Sequence, residues 1–430
     1  MSSFAFSADS LFGPLAPAYS LLGRLPFLEH ADREQDETRA GVALTAFAVG
    51  RLIARWLARG REAGVGIDLP RELEATRARL CELPPADAEV GHLTRIVDAL
   101  DVAAAATAAL GSHLLAYAAY LEQEARLEEA LDTVALAARA YGTGIAAGDL
   151  AVCALTAGRL NRLLARWEAA AICYEAAEVT GREHGDVVFA LRGRLGRGAV
   201  ARGRGNLPAA RAIAEEVQQD AIRSKLPQVQ ALACADLAAA YSELGMPIEA
   251  LQADYEAFRL TQDPAQRMRT LGNVGTDLVQ LRSYDAARTA FTIVARSDAK
   301  TTVRFNALLE LMGIEAAVGD RTAFERHRQV AARYRDQMPP SMAVDFLFKT
   351  ASGLARFGQQ SQARAALSEA QAVAEKQGLH AWEFRVEQAL RTLGTGMTQP
   401  LQAAQATTLP HSTIVRDVAA GLQEYAAASK

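Results

Sequence analysis

The chain reads as all-α, a solenoid of about seven helical hairpins behind an N-terminal helical cap. Two observations predict it. An alanine returns every forty residues in the same local setting, at Ala130, Ala170, Ala210 and Ala250, then at Ala287 and Ala363 after other intervals. A fixed period between twenty and fifty residues marks units that bury their apolar faces against their neighbours. Half of the 430 residues are hydrophobic but only 6% are aromatic. Alanine, the best helix former and a side chain that lets backbones approach, therefore supplies much of the apolar content.

Residues 1 to 110 stand outside this register and read as the cap. Helices are expected near 35–60, 69–82 and 87–109, separated by Gly64, Gly66, Pro70 and the Pro84-Pro85 pair. The N-terminus, MSSFAFSADSLFGPLAP, has no basic segment ahead of its apolar residues, so secretion by a signal peptide is not expected. Val102 to Leu121 carries no formally charged side chain. Its alanines, Thr107, Ser112 and His113 make it weakly hydrophobic, and a buried hairpin broken near Gly111 fits it better than a membrane span. Cys81, Cys153, Cys173 and Cys234 show neither CxxC spacing nor the density of a stapled secreted domain. Free thiols in a reducing compartment follow, and a cytoplasmic location with them.

The array is expected over 111–393. In its fourth unit, Leu237, Ala238 and Tyr241 precede a turn at Gly245, and Ala250 follows. The fifth repeats the arrangement with Val274, Gly275, Leu278, Tyr284, Ala287 and Phe291. The second has Gly158, Trp167, Ala170, Tyr174 and Ala177, and the third Gly198, Gly205, Leu207 and Ala210. Small residues thus sit where two helices cross, with larger ones beside them. Over about residues 112–392 these segments resemble tetratricopeptide repeats. The resemblance implies a right-handed superhelix whose first helices, the A helices, line a concave groove.

Two departures from that family stand out. The forty-residue spacing exceeds the usual 34, which calls for longer helices or longer connections such as GTGIAAGDLA and VTGREHGDVV; long repeats of this kind resemble arrays in bacterial regulators. The sixth unit has Met312 and Phe324 where small residues are expected, so its crossing should be wider or shifted. Beyond the array, Trp382 and Phe384 are placed to cover the last hairpin. A linker is expected over 394–412, then an amphipathic helix over 413–430 with Ile414, Val418, Leu422 and Tyr425 on one face.

Catalytic signatures are lacking. The histidines at 30, 92, 113, 184, 327, 380 and 411 are scattered, and no HExxH, GxSxG or GxxxxGK[ST] occurs. Gly193, Gly196 and Gly198 follow no strand and do not make a phosphate loop. No catalytic residue, metal or cofactor is expected. Counting along one face of each A helix, the groove-lining positions are Arg159, Arg162, Arg192, Arg202, Asp236, Arg269, Asn273, Thr276, Glu310 and Lys349, with Glu122 and Asp345 beside them.

Six arginines lie between Arg192 and Arg211 with no acidic residue among them. Two readings stand: a basic groove for carboxylates or phosphates, or a solvated face whose arginines pair with acids such as Glu183 and Glu215. Asn273 likewise either clamps a peptide backbone or bonds within its own hairpin. A net charge of −4 and few aromatics beside the arginines argue against nucleic acid, and no membrane partner is expected.

The function that follows is a non-catalytic protein-interaction scaffold or adaptor, holding a peptide or protein segment, acidic in character, across units two to five. The alternative is a ligand- or peptide-responsive regulator acting through another subunit. A homo-oligomer is open to a chain with exposed terminal hairpins.

Overall fold

A computed structural model describes residues 8–12, 25–58, 68–102, 107–141, 146–394 and 413–428. The linker positions 395–412, His411 and residues 142–145 of the first long connection lie outside them. The fold is all-α, a helical-repeat solenoid, and the chain divides into two compact units, Met1–Asp220 and Ala221–Lys430.

The first unit runs through α1 (Ala8–Phe12), α2 (Leu25–Arg33), α3 (Glu37–Ala58), α4 (Leu69–Cys81), α5 (Ala88–Val102), α6 (Thr107–Gln123) and α7 (Leu127–Ala140). It continues with α8 (Ala147–Leu163), α9 (Trp167–Glu183), α10 (Val187–Gly203) and α11 (Leu207–Arg223). Helices α2 to α5 share one apolar core with the first hairpin, α6 and α7, built around Phe27, Leu93, Ile96, Leu114 and Leu121. The 22-residue α3 is long and apolar enough by length and composition to cross a membrane. Its Val49, Leu52, Ile53 and Trp56 are buried in that same core. The break expected near Gly111 is corrected: Gly111 lies inside α6, which runs unbroken from Thr107 to Gln123, and its missing Cβ leaves room for the Tyr141 ring.

The second unit contains α12 (Pro227–Glu243), α13 (Pro247–Leu260), α14 (Pro264–Gln280), α15 (Tyr284–Arg296), α16 (Thr301–Val318), α17 (Arg321–Ala332), α18 (Pro340–Arg356), α19 (Gln360–Lys376), α20 (His380–Gly394) and α21 (Thr413–Ala428). Trp382 of α20 packs edge-on against Phe348, but Phe384 is 69% exposed. The expectation that both rings cover the last hairpin is corrected, because Phe384 sits two positions round the helix from Trp382 and faces water. Helix α21 docks on α13 and α15 through buried Val418 and Leu422, with Ile414 and Tyr425 flanking them.

The forty-residue period has a simple origin. Helices α8 to α12 are each 17 residues long, and three-residue turns join them from Leu164 onward. Each turn passes through a residue of positive φ, at Ala165, Gly185, Gly205, Lys225 and Gly245, twenty residues apart. The amide that follows reaches five residues back, as in Arg166 N to Asn161 O at 2.8 Å and Asn206 N to Ala201 O at 2.9 Å, the Schellman closure of a helix end. From Leu164 onward longer helices, not longer connections, absorb the extra residues, whereas between the 14-residue α7 and α8 the connection is the longer part. The period shortens after Gly245 because α13 and α15 have only 14 and 13 residues.

The periodic alanines occupy one position in this scheme. Ala130, Ala170, Ala250, Ala287 and Ala363 are fully buried. Each donates its amide to the residue four before it, closing the first turn of the hairpin's second helix, as Ala170 N does to Arg166 O at 2.9 Å. Glycines on first helices complete the crossing by admitting aromatic rings. A Cβ on Gly158 would lie 2.9 Å from the Tyr174 ring, and one on Gly275 2.7 Å from Phe291. The sixth unit inverts the arrangement. Phe324, 1% exposed, lies over Gly353 of the following hairpin, where a Cβ would come within 2.2 Å of its ring. The large residue moved to another notch, and α17 shortens to 12 residues.

Two expectations follow from these turns and notches. Ala165 at φ +55 bears the left-handed penalty of a Cβ, so Ala165→Gly should stabilise the fold by about 1 kcal/mol, read by urea denaturation. Gly353→Ala drives a methyl into the Phe324 ring and should cost about 1–3 kcal/mol, as overpacking does, read as a lowered melting temperature.

Candidate functional site

The glycine-rich run within α10 is a packing surface. A Cβ on Gly193 would meet the Glu178 backbone at 2.5 Å, and one on Gly196 the Tyr174 ring at 2.1 Å. The close approach of α10 to α9 that these glycines allow brings the arginines of the cluster onto the acids of α9. Buried Glu178, whose side chain is 4% exposed, receives Arg197 at 2.8 Å, Arg182 at 3.1 Å and Arg194 at 3.5 Å. Arg194 also reaches Asp220 at 3.0 Å, Arg204 pairs with Glu168, and Arg211 lies 3.4 Å from Glu215. For these four arginines of the cluster the paired-face reading holds, with Glu178 and not Glu183 as its anchor.

Arg192 differs. It has no carboxylate partner among the described residues, and desolvation by the surrounding helices, then the charge of nearby Arg159, lowers its pKa. Helices α8 and α10 pack directly on one another, so these two guanidinium groups lie on neighbouring first helices. Arg159 reaches the other way, to Glu122 of α6 at 2.6 Å. Arg162, one turn further along α8, is half-buried, and its Nε is enclosed without a hydrogen-bond partner. Arg202, near the end of α10, is half-buried. The structure therefore draws Arg159 and Arg192 together, with Arg162 on the same helix as Arg159.

In the second unit the predicted residues separate into different roles. Asp236 on α12 is half-buried, and Arg269 on α14 is exposed. Thr276 bonds back to the Gly272 carbonyl of its own helix at 3.1 Å. Asn273, exposed on α14, bonds to buried Asp254 of the preceding hairpin rather than within its own. Lys349 is held between Glu310 at 2.8 Å and Asp345 at 2.9 Å, spanning α16 and α18. These two carboxylates raise its pKa against a larger opposing effect of burial, and the cluster carries one net negative charge. Within the second unit, then, the residues around Lys349 form a locally acidic cluster.

No group of three His, Cys, Asp or Glu side chains gathers as metal ligands among the described residues. Cys153 and Cys173 are buried, and burial pushes their thiols up to about 12 and about 11, which makes them unreactive. Cys81 is exposed. A further polar group escaped the sequence reading, the buried carboxyl pair of Asp254 and Asp277. Its signal was present: Asp254 lies midway between Ala250 and Phe258 at intervals of four, and Asp277 falls between Val274 and Leu278, so both belong to core-facing stripes.

No protein-family model matches the chain, and no curated protein sequence matches it. Among solved structures it is similar to the apo form of RapI, at 12% identity and a TM-score of 0.42, over 62% of this chain and 99% of that one. It is also similar to a Rap protein complexed with competence and sporulation factor, at 9% identity and a TM-score of 0.40, over 83% of this chain and 98% of that one. At these values the likeness bears on neither ligand nor residue roles.

If Glu178 anchors the arginine cluster, Glu178→Gln should leave Arg182 and Arg197 without their counter-charge and Arg194 with Asp220 alone. Truncating a buried ion pair costs about 3 kcal/mol, and urea denaturation of the variant reads that loss.

Proposed function

We propose that the protein is a non-catalytic, intracellular binding scaffold that takes an acidic peptide segment on α8 and α10 of its first unit. The observation that carries this reading is Arg192, exposed on α10 with no carboxylate partner among the described residues, whose charge is felt by Arg159 on the neighbouring α8, itself paired with Glu122. Two like charges this close are stabilised by an anion between them, and guanidinium offers the fork that matches a carboxylate. The rest of the cluster supports a short carboxylate-bearing segment over a long polyanion. Its other charges are already answered by Glu178, Asp220, Glu168 and Glu215, and Glu122 closes one side. A nucleic acid backbone tracking along these helices would meet those carboxylates.

The test is fluorescence anisotropy at low salt with a fluorescein-labelled peptide of alternating Glu and Ser. The variant Arg159→Glu/Arg192→Glu should bind at least about thirtyfold more weakly, a loss of about 2 kcal/mol, while circular dichroism shows unchanged helicity. Arg364→Glu, an exposed substitution of the same charge on α19, should bind as the parent does. No binding by the parent chain, or equal binding by the double variant, rejects the reading.

A further inference from the structure

Buried carboxylates in this chain are built with an arginine, with one exception. Among the described residues, Glu89 and Glu129 hold Arg126, Glu178 holds Arg194 and Arg197, and Glu315 holds Arg288. Asp254 and Asp277, 5% and 4% exposed, have no cation. They stand on α13 and α14, the last helix of one hairpin and the first of the next. They lie within hydrogen-bonding reach of each other, and Asn273 is the one other side chain bonded to the pair. Asp254 Oδ1 and Asp277 Oδ2 are enclosed with no partner.

An ionised carboxylate only accepts hydrogen bonds, so two carboxyl groups in contact need a proton between them. Enclosure removes the water that would otherwise solvate two negative charges. The charges on the helices packed around the pair do not relieve this. Arg267 lies over the rings of Phe258 and Tyr425, and Arg288 is taken by Glu315 and Asp285. Asp236 on α12 and Glu310 on α16 add only negative charge, and none of these groups acts on either carboxyl. Burial, and for Asp254 next the charge of Asp277, pushes both carboxyls well above the ordinary carboxylate range, into the region of neutrality.

We propose that Asp254 and Asp277 share a proton and form a pH-operated latch between the fourth and fifth hairpins. With the proton in place α13 is held to α14 through the pair, and its loss sets two like charges against each other in an enclosed joint. The direction follows from linkage. Both groups bind a proton more tightly folded than unfolded, so their contribution is fully present below about pH 4, the unfolded carboxylate value. It is lost as pH rises through the raised folded values near neutrality. Between the unfolded and the folded values each group weakens the joint by about tenfold per pH unit, and above the folded values the loss is complete.

Two measurements on the full chain test the latch. In the first, aspartate labelled with carbon-13 at the carboxyl is titrated from pH 4 to 9 by NMR. Two resonances should complete their titration near or above neutrality, and Asp254→Asn and Asp277→Asn should each remove one of them. Completion of every aspartate titration below pH 5.5 overturns the proposal, and this outcome needs no variant to fold. In the second, hydrogen exchange of peptides from α13 and α14 is followed over the same range and corrected for intrinsic rates. Opening should rise with pH by up to about tenfold per unit in the parent chain, and should be flat in Asp277→Asn, whose amide supplies a permanent donor. Parent opening independent of pH, or an equal slope in the variant, overturns it.

Discussion

The structure depends on a helix end that recurs in the same form at the ends of α8 to α12. A residue of positive φ stops one helix, the next amide bonds five residues back, and the following helix begins at once. Because the stop takes three residues, no chain is left over to drift, and each helix must lie against the one it has just left. The fully buried alanine four residues past each cap then sets how close the two helices come. Glycines on the facing helix admit Tyr174, Phe291 and Phe324 where the backbones approach. The fold is therefore held by repeated local geometry, as nearest-neighbour stacking requires.

Helices packed this closely leave thin interiors, and thin interiors constrain charge. A carboxylate buried between two helices cannot retreat to water, so an arginine must be brought to it. Glu178 is answered from α10, Glu315 by Arg288 of α15, and Glu89 by Arg126 from just ahead of α7. The long arginine side chain suits this role because its stem packs along the helix while its fork reaches across. Once these structural pairs are set apart, little uncompensated positive charge remains in the cluster. It rests with Arg192, which faces Arg159 of the neighbouring helix, the latter already paired with Glu122.

How much of this was legible in the sequence varied with the range of the interaction. The alanine period was visible because the buried position admits almost no other side chain. The twenty-residue turn beneath it was half hidden, since Ala165 and Lys225 stand where Gly185, Gly205 and Gly245 would announce it. The arginine cluster was visible as composition, but its pairing was not. Glu178 lies sixteen and nineteen residues from Arg194 and Arg197, and which side of α10 faces it depends on a crossing that Gly193 and Gly196 set. The groove residues counted along one helical face were placed on the correct helices. Whether they were free or already bonded, as Lys349 and Asn273 are, required the neighbouring helix.

The same reasoning explains why the pair at Asp254 and Asp277 has a different character from every other buried acid. Each of the others solves its burial with a cation from a neighbouring helix, an arrangement indifferent to pH across the physiological range because arginine does not release its proton. The joint between α13 and α14 uses a proton in place of the cation. Its two carboxyls occupy core stripes where Ala250, Phe258, Val274 and Leu278 surround them with apolar side chains, and an apolar residue at either site would pack at less electrostatic cost. What an apolar pair cannot provide is a dependence on pH. A joint held by a shared proton is strong where the proton is bound and weak where it is not, and in a stack held by neighbour contacts alone that change stays local to the two hairpins it connects.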